Sequence, residues 1–274
     1  MELSLLNFEY ALSGLLGGFL VGLTGVGGGS IMTPLLVLVF GIAPSAAVGT
    51  DLLYASITKA SGVPVHSKKG HVDWAVVGWL SLGSLPASGL TLVFLQTMHT
   101  SVIFEAFLKK SVGIALVITA LAILWKASRR GVLSFTGGVE EDDLGLERSS
   151  MEAPLKQPIV LTVITGIVLG CLVTLSSIGA GAVGTVVLVL LYPRFPITRI
   201  VGTDIAHAVP LTLIAGLGHL SLGHVNFSLL LNLLLGSIPG VWLGSHASAG
   251  LSERWSRPIL AILLLIIAAK MIGV

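Results

Sequence analysis

The sequence predicts an all-α polytopic membrane protein of two inverted-topology repeats. Each repeat has about five helical segments, the first two of them short, broken or re-entrant. Three observations predict it: a composition too apolar for a soluble surface, an internal repeat running the length of the chain, and a Lys/Arg bias that changes loops between the halves. Of 274 residues, 54% are apolar and 10% charged, whereas soluble domains carry about 25% charged residues. The apolar runs are continuous and approach the length that crosses a bilayer, about 20 residues. A transmembrane β-barrel would alternate polar and apolar residues instead.

The apolar segments of the first half run over about 8–24, 29–41, 44–63, 73–96 and 102–126. Those of the second half run over about 158–176, 180–192, 196–218, 226–248 and 257–273. Between them, residues 127–157 hold six of the thirteen acidic residues and read as a solvated linker. The chain thus divides into a first transmembrane repeat at 1–126, the linker at 127–157, and a second transmembrane repeat at 158–274. The start MELSLLNFEY has neither a basic region nor a small-residue cleavage site, so no removable leader is expected. The single cysteine, Cys171, excludes an internal disulfide and a cysteine-cluster metal site.

The repeat is direct. VGTDLLYA from Val48 returns as VGTDIAHA from Val201, an offset of 153 that also pairs His66 with His219, GHVDW with GHVNF, and LGSLP with LGSIP. Upstream the offset is 152, so that LTGVGGGSIMT from Leu23 falls on LSSIGAGAVGT from Leu175. Orientation follows from Lys and Arg, which favour the cytoplasm. Lys68, Lys69, Lys126, Arg129 and Arg130 place the connections after the third and fifth segments inside. In the second half the basic connections are those before the third segment, with Arg194 and Arg199, and before the fifth, with Arg254 and Arg257. The bias has moved to the other set of loops, which marks inverted topology. Both termini then lie outside the cytoplasm and the linker within it. Lys109 and Lys110 run against this pattern and are expected to snorkel to the outer interface.

Broken segments at membrane depth persist where they are buried in protein or line a cavity. At the second segments, the amides of Gly28, Gly29, Ser30 and Ile31, and of Gly181, Ala182, Val183 and Gly184, would lack intrahelical partners. Two helix N-termini facing each other attract an anion. The substrate-binding candidates are therefore Thr24, Gly27, Gly28, Gly29, Ser30, Thr33, Ser176, Ser177, Gly179, Gly181 and Thr185. Close packing of helices through small residues is the plainer reading of the same glycines. Lys59, eight residues after Asp51 and on a similar helical face, joins the candidates as a positive charge; it could equally pair with Asp51 alone. Thr50 with Asp51 and Thr203 with Asp204 are candidates for ion coupling or for holding the glycine loops, with helix capping as the alternative. His207, in the place of Tyr54, is a candidate proton relay or a packing histidine.

Asp73 and Asn226 read as helix caps, followed by Trp74 and Phe227 at the membrane boundary. His66 and His71 lie across the membrane from His219 and His224 in this topology, which argues against a shared metal site. No cofactor, metal or nucleic-acid motif is present, and the opening glycines lack the Lys-Ser/Thr ending of a phosphate loop. No catalytic pair is found, so no enzyme is expected.

GVGGGSIMTPLL with VGTDLLYAS, GAGAVGTVVL with VGTDIAHAV, and the GHVDW and GHVNF motifs resemble the TauE/SafE sulfite exporter family over nearly the whole chain except the linker. The acidic linker is longer than the central loop such a resemblance implies. The resemblance implies a plasma-membrane transporter that exports small sulfur-containing anions, such as sulfite or organosulfonates. The expected partners are that anion and the lipid bilayer, with homo-oligomers open. Composition and spacing by themselves reach a secondary transporter with an anionic substrate, and a passive anion channel is the alternative.

Overall fold

The computed structural model describes residues 8–24, 29–98, 103–133, 158–248 and 253–273. Among the described residues it is all-helical. The first half contributes α1 (Phe8–Thr24), α2 (Gly29–Leu38), α3 (Pro44–Lys68), α4 (Trp74–Met98) and α5 (Phe104–Leu133). The second contributes α6 (Ile159–Ser176), α7 (Ala182–Leu191), α8 (Ile197–Ser221), α9 (Phe227–Ser248) and α10 (Glu253–Ile272). Five stretches are long and apolar enough to cross a membrane: α4, Phe104–Trp125 of α5, α6, α8 and Phe227–Gly244 of α9. The helices α2 and α7 have 10 residues each, about half a bilayer.

The helix α5 continues to Leu133, past the expected segment end at 126. Ala127, Ser128, Arg129 and Arg130 form helix readily enough to extend it beyond the apolar stretch. The rest of the expected linker, 134–157, lies outside the described residues.

The most extensive helix pairings run across the halves. The helix α1 packs along α9, and α6 along α4. Both seams bring backbone to backbone through glycine. Gly14 faces the Leu233 backbone and Gly18 that of Ser237. At the same repeat positions Gly166 faces Leu80 and Gly170 faces Ser84. In return Gly236 lies on the Ala11 carbonyl and Gly83 on that of Val163. A methyl group at any of these six positions would overlap backbone atoms, which cannot swing away as a side-chain tip can.

The helices α3 and α8 cross at the centre, where the Ser56 hydroxyl donates to its own repeat equivalent, the Val209 carbonyl, at 3.4 Å. Each begins where the other ends. The Asn226 amide, just past the end of α8, donates to Thr50 Oγ1 near the start of α3 at 3.1 Å. The Asp73 amide, past the end of α3, donates to Thr203 Oγ1 near the start of α8 at 2.9 Å. Gly49 and Gly202 make room for these turns, lying on the carbonyls of His224 and His71. The turn residues then cap the next helices as expected. Asp73 Oδ1 accepts from the Ala75 and Val76 amides at 3.1 Å each, and Asn226 Oδ1 accepts from the Leu229 amide at 3.0 Å. Trp74 and Phe227 follow, both exposed. The largest apolar cluster among the described residues joins α5 and α10 to Ile31 in α2 and to Ile178 in the second break.

Gly166→Leu should destabilise the folded protein by about 1–3 kcal/mol or more. Gly78→Ala, where a Cβ would meet nothing within 4 Å, should be neutral or stabilising by up to about 1 kcal/mol. Thermal unfolding of the two variants in detergent checks the contrast.

Candidate functional site

The break between α6 and α7 is held by its own backbone. Ser177 turns left-handed at φ 59°, and its amide donates to Val173 O at 2.7 Å. Gly179 at φ 121° and Gly181 at φ 139° occupy conformations open to glycine. The Gly184 amide donates to Gly179 O and the Thr185 amide to Gly181 O, each at 3.0 Å. Gly184 is therefore removed from the amides expected to be free. Ala182 and Val183, the first residues of α7, keep amides with no place in the helical ladder.

The hydroxyls divide into two kinds. Ser176 Oγ donates to Leu172 O at 2.6 Å and accepts from the Ile178 amide at 3.1 Å, so it ties the turn. Thr185 Oγ1 donates to Ala182 O at 3.1 Å, within its own helix. Ser177 and Ser30, by contrast, are buried with hydroxyls that have no hydrogen-bond partner among the described residues. Ser177 holds its left-handed backbone at a cost of about 1–2 kcal/mol for a non-glycine residue, where the repeat equivalent is Gly25. Of the first break, Gly25 to Gly28 lie outside the described residues, as does the Thr24 side chain. Gly29 opens α2.

Thr33, one turn beyond Ser30, donates to Asp51 Oδ2 at 2.6 Å, and neither residue is exposed. Asp51 Oδ1 has no hydrogen-bond partner among the described residues, with the Ser177 side chain beside it. Asp51 and Asp204 do not cap their helices. The helix α3 starts at Pro44 and α8 at Ile197, so both carboxylates sit two turns inside. Pro44 and Ile197 open the helices earlier than the Gly-Thr-Asp motif suggests, with Pro at the first helical position in α3. Asp204 rests on Gly184, where an added Cβ would overlap its carboxylate.

Lys59 Nζ donates to Ala180 O at 2.7 Å, at the apex of the second break. It stands within electrostatic reach of both Asp51 and Asp204, and of His207. One ammonium therefore serves two carboxylates in a buried place. His207 Nε2 shares a hydrogen bond of 2.8 Å with Ser84 Oγ, and its Nδ1 has no partner among the described residues. The structure thus brings Thr33, Asp51, Lys59, Ser177, Asp204 and His207 into one region, with Ser30 one turn before Thr33 on α2. Thr50 and Thr203 belong to the turns between halves instead.

Three contacts were missed in the sequence. Ser84 sits in the repeated LGSLP and LGSIP motif, and its equivalent Ser237 faces Tyr54, the equivalent of His207; the repeat carried the signal. Arg199 Nη2 donates to Asp73 Oδ2 at 2.6 Å and its guanidinium lies 4.5 Å from the centre of the Phe195 ring. Each residue had been read for one purpose only, as a topology marker and as a cap. Glu105 accepts from the Ser45 amide at 3.0 Å and from its hydroxyl at 2.5 Å, closing the start of α3. Among the described residues no group of three His, Cys, Asp or Glu side chains is placed to hold a metal ion.

Apolar helices of spanning length around a buried polar centre define a multi-pass membrane protein. The chain belongs to the sulfite exporter TauE/SafE family, whose model matches residues 10–271. It is 40% identical over 275 residues to the probable membrane transporter protein YjnA of Bacillus subtilis (strain 168), covering 97% of this chain and all of that protein. It is 25% identical to YunE of the same strain, a probable membrane transporter protein, over 94% of each chain. It is 27% identical to the probable membrane transporter protein MJ0441 of Methanocaldococcus jannaschii over 90% of each chain. No solved structure matches.

Thr33→Val removes the donor to a buried carboxylate and should destabilise the protein by about 1–3 kcal/mol. Thr185→Val, whose hydroxyl only returns to its own helix, should cost clearly less. The comparison is read from unfolding midpoints in detergent.

Proposed function

We propose that this protein is a secondary transporter that moves a small sulfur-containing anion, sulfite or an organosulfonate, outward across the plasma membrane. The two halves are inverted relative to the bilayer, with both termini outside and the linker in the cytoplasm. The anion site lies against the second break, where Lys59 supplies the positive charge. The amides of Ala182 and Val183 and the hydroxyls of Ser177 and Ser30 supply donors. The family supports the substrate class, and the observation that carries the site is the Lys59 ammonium on the Ala180 carbonyl. A carbonyl is a weak partner for a buried ammonium, and an oxyanion is a stronger one.

Access alternates by movement of composite units. Because α1 is seamed to α9 and α6 to α4, these cross-half pairs move as bodies about the α3–α8 crossing.

Purified protein should bind one or more of sulfite, sulfate, thiosulfate, taurine and sulfoacetate, read by calorimetry. Lys59→Gln should weaken that binding at least about tenfold, or 1.4 kcal/mol. Unchanged affinity removes Lys59 from the site. In proteoliposomes, saturable uptake with counterflow identifies a carrier, and its absence identifies the channel alternative.

A further inference from the structure

We propose that the anion binds together with a proton, and that the proton is held on Asp51 Oδ1 against the Ser177 hydroxyl. The inference rests on the transport reading above and adds the coupling ion to it.

Charge is the first ground. Two buried carboxylates, Asp51 and Asp204, share Lys59. With both ionised the region already carries one excess negative charge, and an arriving anion adds more in a setting where water cannot screen it. Adding a proton with each monoanion leaves the net charge of the region unchanged by binding. No other cation among the described residues is placed to do this. The charged and titratable groups that face Asp51 are Lys59 and Tyr54 on its own helix, and Lys59 is in turn faced by Asp204 and His207 from α8. From α2 and from the second break come only the hydroxyls of Thr33 and Ser177.

Geometry chooses between the two carboxylates. Asp51 Oδ2 already receives the Thr33 hydroxyl at 2.6 Å. Oδ1 has no partner among the described residues, nor has Ser177 Oγ beside it, and both residues are more than nine-tenths buried. An ionised Oδ1 only accepts and would hold the Ser177 hydrogen, whereas a proton on Oδ1 makes an O–H donor that Ser177 Oγ accepts instead. The serine hydrogen is then free to turn to the anion. No covalent bond changes: the proton enters from water, resides on Oδ1, and leaves to water when the anion leaves.

The repeat gives an independent ground. Ser177 keeps a side chain at φ 59°, where its equivalent in the first half is Gly25. A residue held in a conformation that suits glycine points to use of its side chain. The first half has no hydroxyl at that position, and its Lys59 is answered in the second half by Thr212, whose hydroxyl returns to Ala208 O at 2.8 Å. The proton site is therefore single and one-sided.

The test uses the full chain in detergent and three anions that stay fully ionised near neutral pH: methanesulfonate, sulfate and thiosulfate. Proton uptake on binding is measured in weakly buffered, sodium-free solution with a pH indicator, and by calorimetry in buffers of different ionisation enthalpy. The expected result is about one proton taken up per methanesulfonate bound. Ser177→Gly relieves the backbone and so keeps the fold, and Asp51→Asn keeps an acceptor for Thr33. Proton uptake per anion bound should fall at least threefold in both, with weaker binding as well in Ser177→Gly, which also loses a donor to the anion, while Asp204→Asn retains the uptake. Binding without proton uptake in the unaltered protein overturns this proposal and leaves the transporter reading standing. So does binding that needs sodium, or uptake untouched by Ser177→Gly and Asp51→Asn. If none of the three anions binds, the anion reading fails and this proposal with it.

Discussion

Everything in the structure depends on the crossing of α3 and α8, because each helix satisfies a polar group that the other leaves at its end. Thr50 accepts from the Asn226 amide and Thr203 from the Asp73 amide, so neither half closes its own turn. In a bilayer an unmet amide costs far more than at a wet surface, and these exchanged bonds lock the halves to one another. Gly49 and Gly202 follow from the same demand. The hydroxyl can reach the opposite turn only if the residue before it has no side chain to strike the incoming carbonyl.

That lock also orders the packing around it. The glycine seams of α1 with α9 and of α6 with α4 bring backbone against backbone, contacts that tolerate no intrusion. The sequence halves are therefore not the packing units. The closest-packed units are pairs drawn from both halves, and the two short helices α2 and α7 pack against the crossing helices and α5.

The sequence made the helices and the duplication legible because both are written in local signals. Apolar runs set the segments, and the register of VGTD, GH and LGS set the repeat to the residue. Partner choice was not legible, since periodicity says which face of a helix is buried and nothing about what covers it. Nor was the division among hydroxyls. Ser176, Ser177 and Thr185 look alike in sequence, yet two of them turn to backbone and one does not. Local bonds to a carbonyl three or four residues back compete with any ligand, and the winner is decided by the angle of the break. Helix capping is the alternative that the sequence leaves open for Asp51 and Asp204, because Thr-Asp is a capping pair. The helices begin two turns earlier, and the carboxylates are carried into the centre instead.

The two halves also differ where the duplication would predict sameness, and the differences gather at one place. Lys59 answers to Thr212, His207 to Tyr54, and Ser177 to Gly25, while Asp51 and Asp204 are kept in both. Packing alone does not demand this pattern, since the scaffold contacts are conserved through it: Ser84 meets His207 as Ser237 meets Tyr54. A pair of symmetric sites would offer two equal and opposed orientations to a bound ion. Among the described residues the one ammonium of this region, Lys59, comes from the first half and the unpartnered serine, Ser177, from the second, so the centre is not symmetric. The duplication supplies a frame that can be approached from either face, and the departures from it define which end of that frame holds the charge.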